Sequence, residues 1–212
     1  MKRGISSNRN LTSQAACLRQ AGIDFAFRYY SLTTHQPEKR ITRAEADALC
    51  AAGLQLGAVY EDGPTAVSYF TEARGRQDMA NAIRFATDLG QPAGSAIYFT
   101  VDYDAPAADT MGPISDYFQA LAGSPTPYTI GVYGSGAVCD FIKQQCPSVK
   151  YSWLAESRSW RGSKTYNGWA VQQSVSTTAL CGFVAQGYED NQAHDDFGGY
   201  VIEQASAATM PT

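Results

Sequence analysis

A repeating pattern of hydrophobic and polar positions runs through the first half of the chain. Each repeat has an amphipathic stretch with helical spacing that stops at a glycine, then a short apolar run that ends in an aromatic and a polar residue. Helical spacing stopped by glycine predicts a helix, and a short apolar run predicts a buried strand. The clearest repeats predict helices over 11–21, 42–52 and 76–89, followed by strands over 25–30, 56–61 and 96–104.

The pattern loosens toward the C-terminus. It predicts a helix over 109–121, a strand over 129–133 and a helix over 135–144. After these the helical spacing fades, and loops rich in Gly, Ser and Thr separate short apolar runs. The last strands are predicted over 151–156, 169–173 and 187–190, and a short first strand over 4–6 brings the total to eight.

Alternating strands and helices predict parallel strands with the helices outside, and eight strands favour a closed barrel. We therefore expect one α/β domain over 1–212, a (β/α)8 TIM-like barrel with short or missing helices in its last third. The alternative is an open doubly wound sheet, which uses the same unit. A nucleotide-binding sheet needs a phosphate-binding loop, and the glycines over 131–136 have the wrong spacing for one.

Composition narrows the classes of partner. The 212 residues are 44% hydrophobic and 17% charged with a net charge of -4, which describes a globular domain with the wrong sign for nucleic acid or anionic lipid. No stretch reaches the length of a membrane span, and the start over 1–8 lacks an apolar signal core. If the protein acts on a cell envelope, we expect synthesis in the cytoplasm and delivery to the periplasm or cell wall by a specialised secretion system or by lysis.

The cysteines and histidines predict neither a metal nor a cofactor. Five cysteines are too few and too odd in number for a disulfide framework, and none has Cys-x-x-Cys spacing. Buried thiols are the expectation, with a bridge between Cys139 and Cys146 left open for an extracytoplasmic protein. His194 beside two aspartates is a weak metal motif that we interpret as a loop.

Acidic residues follow two of the apolar strands. In a parallel barrel the site lies where strands end, so Asp102, Asp104 and Glu61 are the candidate catalytic residues. Asp102 and Asp104 are two residues apart and would face the same side of a strand, and neighbouring carboxyls drive their pKa values apart. The candidate substrate-binding residues are the aromatic and polar side chains on or beside the strands: Arg28, Tyr60, Tyr133, Trp153, Gln172 and Asp190.

Four segments together carry a resemblance to a known family: 22–29 (GIDFAFRY), 97–104 (IYFTVDYD), 131–134 (GVYG) and 169–173 (WAVQQ). In this order they resemble the bacterial glycoside hydrolase-like domains of unknown function. That family in turn is similar to the glycoside hydrolase family 25 lysozymes, which are muramidases. The resemblance implies a (β/α) barrel and cleavage of the peptidoglycan glycan strand.

The resemblance also implies roles for particular positions. Family 25 lysozymes carry Asp-x-Glu at the end of the fourth strand, where this chain has Asp102 and Asp104. They carry an Asp on the first strand, where this chain has Ser6, and a non-acidic residue at the position of Glu61. Asp190 resembles their last-strand Asp. The resemblance therefore implies that an acid has moved from one strand to another in this chain.

These observations predict a peptidoglycan-directed glycoside hydrolase that uses Asp102, Glu61 and Asp104. It would act as an antibacterial effector, with an immunity protein as a further partner, or as a phage lysin. Two alternatives stay open. One is a catalytically inactive barrel that binds carbohydrate or cell wall, favoured by Ser6 and Asp104. The other is a cysteine peptidase or amidase acting on peptide stems, with Cys139 as nucleophile and His194 as base.

Overall fold

The computed structural model describes residues 1–203, which form eight strands and six α-helical segments. The strands are β1 Lys2–Ser6, β2 Phe25–Tyr30, β3 Gln55–Tyr60, β4 Ala96–Thr100, β5 Thr129–Gly134, β6 Val149–Leu154, β7 Val171–Val175 and β8 Glu189–Ala193. The helices are α1 Ala15–Gln20, α2 Arg43–Ala51, α3 Glu72–Leu89, the single turn α4 Ala107–Asp109, α5 Ser115–Ala122 and α6 Gly136–Gln145.

The strands close into a barrel in chain order, which confirms the predicted barrel and its eight strands. Strands β1 to β7 run parallel, whereas β8 pairs antiparallel with both β7 and β1. The prediction that all strands are parallel is therefore wrong for β8. A parallel return needs a long crossover, and the segment 176–188 between β7 and β8 contains no helix, so the chain turns back beside β7.

Three of the predicted helices begin at a capping residue. Thr42, Thr71 and Ser135 each accept a hydrogen bond from a backbone N–H one turn into α2, α3 and α6. The cap at Thr71 starts α3 four residues before the predicted helix. Gly90 ends the same helix in the left-handed conformation at φ 81°, which glycine adopts without steric cost.

The predicted helix over 109–121 is interrupted. Gly112 leaves helical geometry, and Pro113 cannot donate the next helical hydrogen bond, so a wide turn separates α4 from α5. Within residues 1–203, α6 is the last helix, which agrees with the prediction that helices fade in the last third.

Aromatic side chains fill the barrel interior. Phe27 lies between Trp153 and Tyr98, with ring centroids 4.2 and 5.2 Å away. The rings of Phe27 and Tyr98 fit because the residue beside each of them on the neighbouring strand is a glycine. A Cβ added at Gly57 would lie 2.5 Å from the Phe27 ring, and one at Gly131 would lie 2.6 Å from the Tyr98 ring. Packing of the barrel core therefore requires a glycine beside each of these two large rings.

The segment after β8 closes the amino-terminal end of the barrel. Phe197 packs on Phe25 at 4.6 Å between centroids, and its carbonyl accepts a 2.7 Å hydrogen bond from the hydroxyl of Tyr98. The carbonyl of Gly198 accepts a bond from the N–H of Ala96 at the start of β4. This segment therefore fills the amino-terminal end of the barrel.

A disulfide joins Cys17 in α1 to Cys181 in the segment between β7 and β8. Cys50, Cys139 and Cys146 are free thiols, so the bridge considered between Cys139 and Cys146 is not formed. Sequence spacing could not find the actual pair, because its members are 164 residues apart and meet only when the barrel closes. In residues 1–203 no helix is both long and apolar enough to cross a bilayer.

A fully buried ion pair fastens β2 to α2. Arg28 donates from Nε to Glu45 at 2.7 Å and from its other nitrogens to the carbonyls of Ser7 and Glu38. Glu45 also accepts the backbone N–H of Leu11 at 2.8 Å. Every charge in this cluster is compensated, so removing one partner would leave a buried charge unpaired.

We expect Arg28→Met to lower the free energy of unfolding by about 3–5 kcal/mol, because the fully buried Glu45 loses its cation. The matched control is Arg76→Met, which removes an exposed pair with Glu72 and should cost less than about 1 kcal/mol. Urea denaturation measures both. Equal losses in the two variants would contradict the account of Arg28.

We expect the unreduced, denatured protein to present three free thiols to a thiol reagent, and five after reduction. The double variant Cys17→Ser/Cys181→Ser should lose about 2–5 kcal/mol of stability, since the bridge closes a long loop of the unfolded chain. Cys50→Ser is the control and should leave stability nearly unchanged. A count of five thiols before reduction would exclude the bridge.

Candidate active site

A polar cleft lies at the carboxyl-terminal mouth of the barrel, with a volume of about 280 Å³. Each of the eight strands places a residue in it: the first six from their last positions or from the residues just after their ends, β7 from its central position and β8 from its first position. Lys39, from the segment between β2 and α2, completes the wall. The nine lining residues are Asn8, Tyr29, Lys39, Glu61, Asp102, Tyr133, Glu156, Gln173 and Glu189.

Four carboxyl groups share this cleft in different environments. Burial, with the nearby charge of Glu61, raises the pKa of Asp102 to about 6. Burial also raises the pKa of Glu189 to about 7, while a hydrogen bond from Ser6 acts in the opposite direction. Glu61 forms an ion pair with Lys39, whose Nζ also lies 4.6 Å from the centre of the Tyr29 ring. The cleft thus combines a paired carboxylate with carboxyls that can hold a proton near neutral pH.

Hydrogen bonds under the cleft connect its floor to the aromatic core. The hydroxyl of Ser6 lies 3.2 Å from Oε2 of Glu189, 2.9 Å from Nδ2 of Asn191 and 3.3 Å from Nε2 of Gln173. Asn191 in turn accepts from the indole N–H of Trp153 at 2.9 Å. All buried side-chain polar atoms among the described residues have a partner.

Three of the residues predicted from sequence meet in this cleft: Asp102, Glu61 and Tyr133. Tyr133 donates its hydroxyl to Oε1 of Gln173 at 2.9 Å, with its ring against Trp153. Asp102 lies two residues beyond the end of β4, and its N–H donates to the carbonyl of Pro64 at 3.0 Å. That bond links the two chain segments that carry Asp102 and Glu61.

The structure does not bring Asp104 into the cleft. Its Oδ1 accepts the backbone N–H of Arg161 at 2.8 Å, and its Oδ2 pairs with the Arg161 guanidinium at 3.0 Å. Strand β4 ends at Thr100, so the two-residue alternation that would align Asp104 with Asp102 no longer holds. Asp104 fastens a surface loop.

Three predicted binding residues lie in the packed interior of the protein. Arg28 is fully buried in its pair with Glu45. Tyr60 faces α3, and its hydroxyl contacts Asp62 and Asn81. Trp153 is 1% exposed inside the barrel, below the cleft. None of these three lines the cleft.

Gln172 and Asp190 point away from the cleft. On each strand the residue that faces the cleft is the neighbour of the one predicted. Gln172 pairs with Gln192 on the outer face, whereas Gln173 points inward. Asp190 faces outward beside the inward Glu189. Shifting a strand by one position exchanges its two faces.

The residues that sequence reasoning missed as site residues are Asn8, Tyr29, Lys39, Gln173 and Glu189. Glu156 stands at the end of a predicted strand, the position that marks candidate residues, but it was given no role there. A signal existed for two of the missed residues. Val171 lies two residues before Gln173, and Ala193 lies four after Glu189. Residues an even number of positions apart on a strand face the same side, so each small apolar residue indicates which positions of its strand face the barrel interior. Lys39 had no such signal, since it belongs to a loop.

The thiol of Cys139 is fully buried in α6, with its sulfur 3.7 Å from the carbonyl oxygens of Gly134 and Trp153. Burial raises its pKa to about 12, so it stays protonated. His194 stacks on Trp169 at 4.8 Å instead. This geometry disfavours the cysteine peptidase. Among residues 1–203 no group of three or more His, Cys, Asp or Glu side chains is arranged to hold a metal ion.

Comparison with known proteins identifies similar chains in bacteria. The uncharacterized protein YbfG of Bacillus subtilis is 33% identical over 147 residues, which cover 63% of this chain. The match spans only 20% of YbfG, so the chain corresponds to about a fifth of that relative.

Solved structures share the fold at low sequence identity. The Tat-secreted protein Rv2525c of Mycobacterium tuberculosis, in complex with L-tartrate, aligns with a TM-score of 0.78 and 19% identity, over 93% of this chain and 98% of that one. A family 25 glycosyl hydrolase from Bacillus anthracis gives 0.59 and 12%, over 92% and 90%. A muramidase from Trichobolus zukalii gives 0.58 and 13%, over 92% and 95%.

The family comparison covers nearly the whole barrel. The model of the Rv2525c-like, glycoside hydrolase-like domain matches residues 16–210. Together with the closed barrel and its acidic mouth, this match means that the chain belongs to the Rv2525c-like family of glycoside hydrolase-like domains.

Proposed function

We propose that the protein is a glycoside hydrolase that cleaves the glycan strand of peptidoglycan. One observation carries the proposal: carboxyl groups from different strands converge at one mouth of the barrel, where Glu61 is paired with Lys39 and burial raises the pKa of Asp102 to about 6 and that of Glu189 to about 7. Glycosidic bond cleavage needs a carboxylic acid to protonate the leaving oxygen and a second carboxylate on the reacting sugar. The cleft offers both kinds of group.

Asp102 and Glu61 are the carboxylates proposed to act on the reacting sugar. Glu61 forms an ion pair with Lys39 at the edge of the cleft, and a carboxylate there is suited to stabilise positive charge at the anomeric carbon. Asp102 is partly buried in the same cleft and is suited to act as base, nucleophile or stabiliser of the same centre. Tyr133, Gln173 and Asn8 are placed to hold sugar hydroxyl groups around the two acids.

The fold similarity to a family 25 glycosyl hydrolase and to a muramidase supports peptidoglycan as the substrate class. The Cys17–Cys181 disulfide supports a place of action outside the reducing cytoplasm. The description of Rv2525c as a Tat-secreted protein is consistent with such a place for this family. An effector that enters the wall of a rival cell would also need an immunity protein in its own cell.

A second candidate is a barrel that binds cell-wall glycan without cleaving it. Two observations favour it: Asp104 is tied to Arg161 instead of joining Asp102, and Ser6 stands where family 25 lysozymes have an acid. In this case the polar cleft would recognise sugar through the same residues. The two candidates differ in turnover: the hydrolase releases soluble products from peptidoglycan, and the binding barrel does not.

We expect mass spectrometry of purified peptidoglycan treated with the protein to find soluble muropeptides with new reducing ends. Asp102→Asn and Glu61→Gln should each reduce their rate of release by roughly 10²- to 10⁴-fold, because each removes a carboxyl group at the reacting centre. Asp190→Asn and Asp104→Asn are the matched controls, since both acids lie outside the cleft. Their rates should remain close to that of the unmodified protein.

Three results would contradict this proposal in different ways. Intact sacculi that retain bound protein would favour the binding barrel. Cuts in the peptide stems would favour an amidase. Equal losses in Asp190→Asn and Asp102→Asn would remove the cleft as the site.

We also expect the two neighbours of Asp102 to move its pKa in opposite directions. Lys39→Met should raise the pKa of Asp102 above about 6, because a nearby positive charge is lost. Glu61→Gln should lower it, because a nearby negative charge is lost. The carboxyl ¹³C chemical shift of Asp102, followed against pH by NMR, measures both. A shift of the same sign in the two variants would refute the charge arrangement.

A further inference from the structure

A polarised chain of hydrogen bonds runs beneath the cleft, and its directions follow from groups that can only donate. The indole N–H of Trp153 is such a group, so the atom of Asn191 that it contacts at 2.9 Å is the amide oxygen. The amide nitrogen of Asn191 therefore faces Ser6, 2.9 Å from its hydroxyl oxygen.

The second amide is fixed in the same way. The backbone N–H of Glu156 can only donate, and it contacts Oε1 of Gln173 at 3.2 Å. Tyr133 donates its hydroxyl to the same oxygen. The nitrogen of Gln173 therefore faces Ser6 at 3.3 Å, and both amides donate to the serine oxygen.

Ser6 is then left with one direction for its own hydrogen. A hydroxyl has two lone pairs and one hydrogen, and the two amides occupy the lone pairs. The hydrogen is donated to Oε2 of Glu189, 3.2 Å away, and Ser6 is fully buried, so water does not compete. Because Oε2 accepts this bond, a neutral Glu189 carries its proton on Oε1.

We propose that Glu189 is the proton donor of this site, acting from Oε1 toward the cleft, and that Ser6 is the residue that positions it. The inference rests on the proposed function and adds a catalytic residue to it. Register places Glu189 at this point: the antiparallel strand β8 begins at Glu189, directly opposite Ser6 at the end of β1.

The surroundings of Glu189 suit a proton donor. Its pKa is raised to about 7, so this carboxyl can hold a proton near neutral pH, as a proton donor must. Burial is the main cause of the raised pKa. The other titratable groups that face the same cleft are Tyr29, Lys39, Glu61, Asp102, Tyr133 and Glu156.

The reaction step balances without any further reactant. The bond between the anomeric carbon and the bridging oxygen breaks, its electron pair stays on that oxygen, and the oxygen takes the proton of Glu189. Water then adds its hydroxyl to the anomeric carbon, and its remaining proton returns to the carboxylates of the cleft. One water is consumed, and two sugar fragments leave, one of them with a new reducing end.

The pH dependence of muropeptide release tests this role. We expect kcat/KM to rise with pH as Asp102 ionises near 6 and to fall as Glu189 loses its proton near 7. Glu189→Gln should lower kcat/KM by roughly 10²- to 10⁴-fold and remove the fall at higher pH. The hydrogen bond from Ser6 lowers the pKa of Glu189. Ser6→Ala removes this bond, so the pKa should rise and the fall in kcat/KM should move to higher pH. Asp190→Asn is the matched control and should keep both the rise and the fall of kcat/KM with pH.

A measurement without turnover keeps the proposal testable if a variant fails to fold. The carboxyl ¹³C shift of Glu189 in the unmodified protein should report a protonated group at pH 6 and a titration midpoint near 7. A group already ionised below pH 5 would overturn the proton-donor role.

The outcomes separate this inference from the function on which it rests. An active protein whose Glu189→Gln variant keeps the fall at higher pH overturns the role of Glu189 and leaves the glycosidase intact. A protein that releases no reducing ends overturns the glycosidase, and the donor role falls with it. Loss of the fall in Glu189→Gln, together with its upward shift in Ser6→Ala, supports both roles.

Discussion

Closure of the sheet into a narrow barrel is the constraint on which the site depends. The interior admits one side chain in two along each strand, and the rings of Phe27, Tyr98 and Trp153 fill it as far as the floor of the cleft. Phe197 blocks the other end. The open cleft therefore lies at the carboxyl-terminal mouth, and the strands deliver carboxyl, amide and phenol groups there together.

The sequence predicted the barrel well because its signals are local. Capping residues such as Thr42, glycines such as Gly90 and short apolar runs mark the elements one at a time, and their number and order imply closure. Asp102 and Glu61 were found by the same local logic, since each directly follows an apolar run. The antiparallel direction of β8 was missed because it depends on a segment with little regular pattern.

The remaining residues of the cleft could not be identified from sequence, because their positions depend on strand register, on where strands end and on tertiary contacts. Gln172 and Asp190 were chosen over Gln173 and Glu189 because the phase of a short polar strand is weakly marked. Asp104 was chosen because β4 was extended past Thr100, where the alternation stops. Arg28 and Trp153 carry the chemistry of binding residues, yet their partners are protein groups: Glu45 for one and Asn191 for the other.

The buried hydrogen bonds of Ser6 connect the fold to the chemistry. Where family 25 lysozymes carry an acid on the first strand, this chain has a serine, and the neighbouring β8 supplies Glu189 within hydrogen-bond distance of it. Reversal of β8 is what makes this possible, because Glu189 is the first residue of the strand and so reaches the mouth. The Cys17–Cys181 bridge holds the preceding segment to α1.

The most direct test of the central claim is NMR mapping of a soluble peptidoglycan oligosaccharide titrated into the ¹⁵N-labelled protein. The account predicts the largest backbone shifts at Glu61, Asp102, Glu156 and Glu189, with little change at Asp190 or around Phe197. Shifts confined to the outer face of the barrel or to its amino-terminal end would contradict it.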